Sequence, residues 1–291
     1  MRSRSVRSYA KINIHLDIAE RRDDGFHDLL SIFQLVDFYD RITISACPFE
    51  RKISIRGMEE LEEKSNLMYS AAEAFMTACK TDMSVQIDIE KNIPMKGGLG
   101  GGSSNAAAVL EVLNEIAGYP LSFDRLIDIG LSLGSDVPFF LYHAPVAVVE
   151  GRGEIITPIE PRDDLKVSLV CIKGEGVSTA EAFAQLDRER SLFKASKKSV
   201  LKSNLCQMYH EKIENWSFFN DFNTIVRKYN ELYDYLNEIA SKNENVYGQL
   251  SGSGSTYYFL GNQNGIDAIN PILNRIPSTH VTNICVKCLH R

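Results

Sequence analysis

Residues 95–108 read MKGGLGGGSSNAAA, with five glycines in fourteen residues running straight into alanines. Glycine loses more conformational entropy on folding than any other residue and packs no side chain, so a cluster this dense marks unusual φ values or a ligand pressed against bare backbone. A strand-to-helix turn without a ligand needs one or two glycines. Peptide N–H groups at a helix start have no partner within the helix, and the helix dipole favours negative charge beside them. Removing the side chains in front of them makes an anion site. Gly97, Gly98, Leu99, Gly100, Gly101 and Gly102, feeding Ser103 and Ser104, suit a phosphate group in this way. Two common phosphate loops are excluded by their spelling. A Walker A loop places Lys before the Ser/Thr, but here Ser103 follows Gly102 directly; counted from Gly98, the dinucleotide pattern GxGxxG puts Ser103 where its last glycine belongs. Lys91 and Lys96 flank the loop as sources of the charge that neutral amides lack.

Outward from the loop, Ser103–Ala117 reads as a helix, with Ser103 or Ser104 able to bond its first N–H groups, and Val85–Ile89 before the loop reads as a strand. The local order is therefore strand, glycine loop, helix. At the start of the chain, Val6, Ser8, Ala10, Ile12, Ile14, Leu16 and Ile18 alternate with Arg7, Tyr9, Lys11, Asn13, His15 and Asp17, which predicts a strand with one buried face and Lys11, Asn13 and His15 together on the other. Further strands are expected at 41–45, 52–56 and 167–172, and helices at 66–79, 123–133 and 223–241. YGQLSGSGSTYYFL at 247–260 reads as a Gly/Ser turn between apolar strands. Interleaved strands, hairpins and helices favour α+β over a doubly wound parallel sheet. A domain boundary is expected near 160–164, after Pro158 and around Pro161, giving domains 1–160 and 161–291.

The chain has 291 residues, 44% hydrophobic and 24% charged, enough for a large packed core in one or two domains. A formal net charge of −6 argues against a general nucleic-acid surface, so any polyanion must meet a local cluster of cations. RERSLFKASKKSVLK at 188–202 is the most basic segment and reads as a solvated connection. No apolar run approaches the roughly 20 residues of a membrane span. Six scattered cysteines without a secretory leader imply reduced thiols and a cytoplasmic location. Cys285 and Cys288 form a CxxC followed by His290, but the other half of a metal site is missing, so they read as strand cysteines.

Phosphoryl transfer needs a phosphate cradle, a group beside the acceptor hydroxyl, and cations to spread the developing charge. Lys11 is one candidate. Asp136, in LGSDVPFFL at 133–141, is the other; a helix cap or an ordinary surface acid is its alternative reading.

Four stretches together resemble the 4-diphosphocytidyl-2-C-methyl-D-erythritol kinase family of the GHMP superfamily: YAKIN at 9–13, DGFH at 24–27, IPMKGGLGGGSSNAAA at 93–108 and GSDVPFF at 134–140. EGRGE at 150–154, VSTAEAF at 177–183 and LSGSGST at 250–256 are similar in order and spacing. The resemblance implies a GHMP kinase fold, with an N-terminal domain like the second domain of ribosomal protein S5 and a smaller C-terminal α/β domain. It also implies ATP-dependent phosphorylation of the 2-hydroxyl of a small cytidylyl substrate, with Mg2+, no nucleic acid and no membrane. Oligomeric state stays open between monomer and homodimer. On this resemblance Asp136 matches the catalytic base and Lys11 the lysine beside it. The loop amides and Ser103 or Ser104 would hold ATP phosphates, with Lys96, a departure from the family, either adding to that grip or pointing to solvent, and Asn66 would lie near the adenine. Asn13, Phe26 and His27 would contact substrate, with Phe183 as a stacking wall for cytosine. Phe26 stands where the family more usually has Tyr, which keeps the ring face and loses a phenol hydrogen bond. Lys96 stands where Gly or Ala is common, and Asn223 where Glu is usual. No magnesium-binding carboxylate is evident beyond Asp136, which leaves the metal to phosphates and water, as magnesium tolerates. A GHMP kinase acting on mevalonate, homoserine or a sugar, and a nucleotide-binding protein that has lost transfer, are the competing readings.

Overall fold

A computed structural model describes residues 1–58, 65–173, 178–193 and 201–290. In chain order the strands are β1 (Arg2–Arg21), β2 (His27–Pro48), β3 (Lys52–Arg56), β4 (Met83–Glu90), β5 (Val146–Gly151), β6 (Ile155–Pro158), β7 (Lys166–Ile172), β8 (Val246–Leu250), β9 (Thr256–Gly261) and β10 (Val281–Lys287). The helices are α1 (Leu67–Cys79), α2 (Gly101–Ile116), α3 (Phe123–Leu133), α4 (Val137–Leu141), α5 (Thr179–Phe193), α6 (Lys202–His210), α7 (Asn223–Val226), α8 (Leu232–Ser241) and α9 (Gln263–Leu273). The mixture of helices with largely antiparallel sheets is α+β, as expected.

The chain divides into two compact units, the first comprising 1–10, 38–95 and 100–144 and the second 11–37, 96–99 and 145–291. In the first, the later half of β2 pairs antiparallel with β4, from Arg41 opposite Glu90 to Pro48 opposite Met83, and β3 pairs parallel with β4. Ile42, Ile44, Val85 and Ile87 are buried, as their alternation with polar neighbours requires. The apolar faces of α1 (Ala71, Ala72, Phe75, Met76) and α2 (Ala106, Ala107, Val109, Leu110, Leu113) are buried, and the two helices pack together. Asn66 caps α1, its Oδ1 accepting from Met68 N at 2.9 Å, and Ser122 caps α3.

In the second unit the earlier half of β2 pairs antiparallel with β5, and β5 with β6. A separate antiparallel sheet has the order β10-β7-β9-β8. One apolar core joins Ile18, Val170, Phe222, Leu236, Tyr257, Phe259 and Ile269.

The structure corrects four readings. β1 does not keep a wet face, because Lys11, Asn13, His15 and Asp17 are all under 10% exposed. α2 begins two residues earlier than expected, with Gly100 rather than a serine at its N-cap. The helix expected over 223–241 is interrupted at Asn230, whose extended backbone stops one segment and whose side chain accepts from Leu232 N to start α8. Of the basic segment, 188–193 completes α5 and Lys202 opens α6; residues 194–200 lie outside the described residues, as does Val177.

Candidate functional site

The glycine loop is held by its carbonyls. Lys96 O accepts from Ser255 N at 3.2 Å, Gly97 O from Thr256 N at 3.1 Å, Gly98 O from Ser251 Oγ at 2.9 Å, and Leu99 O from Lys11 N at 2.9 Å. In a trans peptide the N–H points opposite to the preceding C=O, so binding four consecutive carbonyls turns the N–H groups of 97–100 away from their tether. Lys96, Gly98 and Gly100 have φ values of 55°, 73° and 69°, so left-handed residues alternate along the loop. Such alternation makes successive N–H groups converge into a concavity that binds anions. Gly98 is obligatory, since a Cβ there would stand 2.0 Å from Ser251 O. Leu99, the one residue of 97–102 with a side chain, buries it at 1% exposure.

In the first unit the loop enters α2, where Gly100 offers no capping side chain and the first turn carries no acid. The N–H groups of that turn therefore have no partner within the helix. The hydroxyls of Ser103 and Ser104 differ: Ser104 is 4% exposed and accepts from Ser8 Oγ at 2.6 Å, while Ser103 is half-buried. A side chain at Gly134 would begin 3.9 Å from Ser103 Oγ, and Asp136 follows two residues later. Asp136 occupies the N-cap position of α4, yet its carboxylate makes no capping bond to that helix. The cap reading of this acid is thereby removed.

The inward polar face of β1 forms a ladder in the second unit. Lys11 Nζ donates to Asn13 Oδ1 and lies 4.6 Å from the centre of the Phe33 ring; Asn13 Nδ2 donates to Ser31 Oγ at 3.1 Å, and Ser31 Oγ donates to His15 O. Tyr258 OH fixes the Asn13 carbonyl at 2.8 Å. Burying a lysine is costly unless its charge is met by such acceptors. A single strand thus carries Lys11 and Asn13 at alternate positions and supplies a tether to the loop.

The rings of His27 and Phe183 stack on each other, with centroids 4.9 Å apart and an interplanar angle of 22°. Asp187 was missed: its Oδ1 lies 2.8 Å from His27 Nε2. Its spacing of four from Phe183 places both on one face of α5, a signal present in the sequence. Phe26 is 45% exposed, and the Arg152 guanidinium lies 3.5 Å above its ring. Arg152 sits on the β5–β6 turn and carries no sequence signal for this role beyond EGRGE.

Lys91 does not supply the loop with charge. Its ammonium is bound to Asp40 at 2.8 Å and to Ile93 O, and burial lowers its pKa from the usual lysine range. Lys96 is exposed, and its field, secondary to hydrogen bonds from Ser178, helps hold the Glu181 carboxyl below its ordinary value. Among the described residues no three His, Cys, Asp or Glu side chains gather as a metal site; Cys285 lies exposed on β10 and Cys288 is buried. No helix among them is long and apolar enough to cross a membrane.

The sequence pattern of the GHMP kinases N terminal domain matches residues 66–144. The chain is 37% identical over 264 residues to the 4-diphosphocytidyl-2-C-methyl-D-erythritol kinase of Thermosipho melanesiensis, covering 89% of this chain and 91% of the relative. It is 36% identical to the protein of the same name from Acinetobacter baylyi over 87% and 85% of the two chains. A crystal structure of a 4-(cytidine 5'-diphospho)-2C-methyl-D-erythritol kinase superposes with a TM-score of 0.72 at 24% identity, covering 98% of this chain and 99% of that one. Methanococcus jannaschii mevalonate kinase superposes with a TM-score of 0.65 at 14% identity, covering 99% of each. At these identities the two structures speak for the fold, which is that of the GHMP kinases.

Proposed function

Since the chain belongs to the 4-diphosphocytidyl-2-C-methyl-D-erythritol kinase family of GHMP kinases, we propose that it transfers the γ-phosphoryl group of ATP to the 2-hydroxyl of 4-diphosphocytidyl-2-C-methyl-D-erythritol, a step toward isoprenoid precursors that does not pass through mevalonate. The observation that carries this reading is the glycine loop with its four carbonyls bound and its N–H groups turned to one side. That arrangement costs no reorganisation when a triphosphate arrives, which is how positioned donors stabilise transferred phosphoryl charge.

In this reading the amides of 97–102 hold ATP phosphates, with the Ser103 hydroxyl as the more accessible of the two serines and Lys96 at the rim. Asp136, not used as a cap, accepts the proton of the attacking hydroxyl. Lys11 contributes positive charge to the phosphoryl group in transit, and its hydrogen bond to Asn13 limits its side-chain freedom. Asn13, Phe26, His27 and Phe183 form the cytidylyl side, and Asn66, beyond its capping role, borders the adenine. Residues 1–160 act as the ATP-binding domain and 161–291 as its C-terminal companion. The enzyme works in the cytoplasm, where its cysteines stay reduced.

Magnesium fits these residues only as a phosphate-held ion. The described residues offer no cluster of three ligating side chains, and a Ser103 hydroxyl with the Asp136 carboxylate suits an ion that keeps most of its waters. Bound there, it would supply charge neutralisation for the β- and γ-phosphates.

ADP release measured side by side with the cytidylyl alcohol and with mevalonate tests the substrate, and turnover with mevalonate alone would overturn it. Asp136→Asn is expected to leave ATP affinity near wild type while kcat falls about 10²- to 10⁴-fold. Full activity of that variant would remove the base.

A further inference from the structure

Asp40 has no role in the chemistry above, yet its carboxylate is fully buried and saturated with donors. Oδ1 accepts from Asn92 N and Ile93 N, both at 2.8 Å, and Oδ2 accepts from Lys91 Nζ at 2.8 Å and Asn105 Nδ2 at 3.1 Å. Four donors fill the four lone-pair positions of a carboxylate. All five residues belong to the first unit. Residues 91–93 lead out of β4 toward the glycine loop, and Asn105 sits one turn into α2, just beyond it. The same two segments meet at Gly101, where a Cβ would stand 2.9 Å from Ile93 Cγ2 and 3.4 Å from Lys91 Nζ. One carboxylate therefore ties the chain entering the loop to the helix leaving it.

A buried ion pair is weak support for stability, because apolar residues of similar volume often do as well. Its usefulness here is geometric: it fixes the separation that residues 94–100 must span. We infer that Asp40 is a positioning residue for the nucleotide, holding residues 91–93 and the start of α2 at the spacing that aims the loop's N–H groups at phosphate. The inference rests on the ATP-binding reading above.

Two charge-balanced double variants separate geometry from stability. In Asp40→Asn with Lys91→Met, the new amide keeps an oxygen for Asn92 and Ile93, and its NH2 faces Asn105, whose amide turns over to present Oδ1, an atom without a partner among the described residues, in place of Nδ2. In Asp40→Ala with Lys91→Met the tie is gone, and neither variant leaves a buried unpaired charge. ATP affinity by calorimetry, both KM values and the melting temperature are measured for each. The asparagine variant is expected to bind ATP within about threefold of wild type, and the alanine variant at least about tenfold more weakly with the acceptor KM unchanged, the size of effect that sub-ångström to 1 Å misplacement produces. Should the alanine variant not fold, Asn105→Ala cuts only the helix arm and is expected to weaken ATP several-fold. Wild-type ATP affinity in whichever of these two variants folds overturns the inference, as does an equal loss for both substrates. A wild-type chain that binds no ATP overturns the nucleotide reading itself and this inference with it.

Discussion

Gly98→Ala gives the most direct trial of the tethered loop. The added Cβ would stand 2.0 Å from Ser251 O and 3.0 Å from Gly254 O. Carbon and carbonyl oxygen do not approach much below about 3.3 Å, so the loop must retreat by about 1.3 Å. That retreat stretches the bond from Ser251 Oγ to Gly98 O, now 2.9 Å, past any useful length, and strains those to Lys96 O and Gly97 O. Three hydrogen bonds at about 1 kcal/mol each, with about 1 kcal/mol for an alanine at φ near 73°, sum to about 4 kcal/mol against the local structure. The loop N–H groups would lose their common direction, and ATP affinity is expected to fall about 10²-fold. Gly102→Ala is the contrast: its Cβ would meet only Leu67 Cδ1 at 3.5 Å, at a helical position where alanine is favoured by about 0.5–1 kcal/mol. Calorimetric titration of ATP and thermal melts of both variants decide the matter. Gly98→Ala with an ATP affinity within twofold of wild type and an unchanged melting temperature would refute the claim that carbonyl tethering aims the loop.

Two further outcomes are expected. Glu111 hydrogen-bonds His143 and raises its pKa above the ordinary 6.5, so this contact contributes stability that is complete below about pH 6.5 and is lost as pH climbs through the raised folded value. The imidazole is 71% exposed, which screens the gain to about 0.5 kcal/mol or less; melts of wild type and Glu111→Gln should differ at pH 5.5 and converge by pH 9, and a constant difference would exclude the linkage. Arg152→Ala removes the cation that covers Phe26, worth about 0.5–1 kcal/mol at an exposed site, so the acceptor KM should rise about two- to fivefold at constant ATP KM. An improved acceptor KM would mean that Arg152 obstructs the ring face instead of supporting it.

Much of this was legible in residue order. Alternation located β3 and β4, residue content located α1, and residue content with a glycine stop located α3, all to within a residue or two. β1 escaped that logic. Its polar positions are buried too, and a lysine met by an asparagine two residues on reads in sequence like ordinary surface. The start of α2 was misplaced because a glycine in left-handed conformation, not a serine cap, ends the loop. The loop's chemistry was readable from glycine density, but its orientation was not: the donors that bind its carbonyls come from Lys11, Ser251, Ser255 and Thr256, and nothing local to residues 95–108 reports them. Lys91 reads as a source of charge for the loop only because Asp40, its partner 51 positions away, is invisible in a linear reading.

The distance along the chain between Gly98 and Ser251, 153 positions, bears on how the protein comes into being. A ribosome delivers the glycine stretch well before the Ser251–Thr256 turn, so over that interval a nascent chain holds the glycines without the donors that bind the carbonyls of Lys96, Gly97 and Gly98. Competence to hold a nucleotide therefore waits on that turn, and a product cut short before residue 251 would carry every residue of the phosphate loop without the ability to use it.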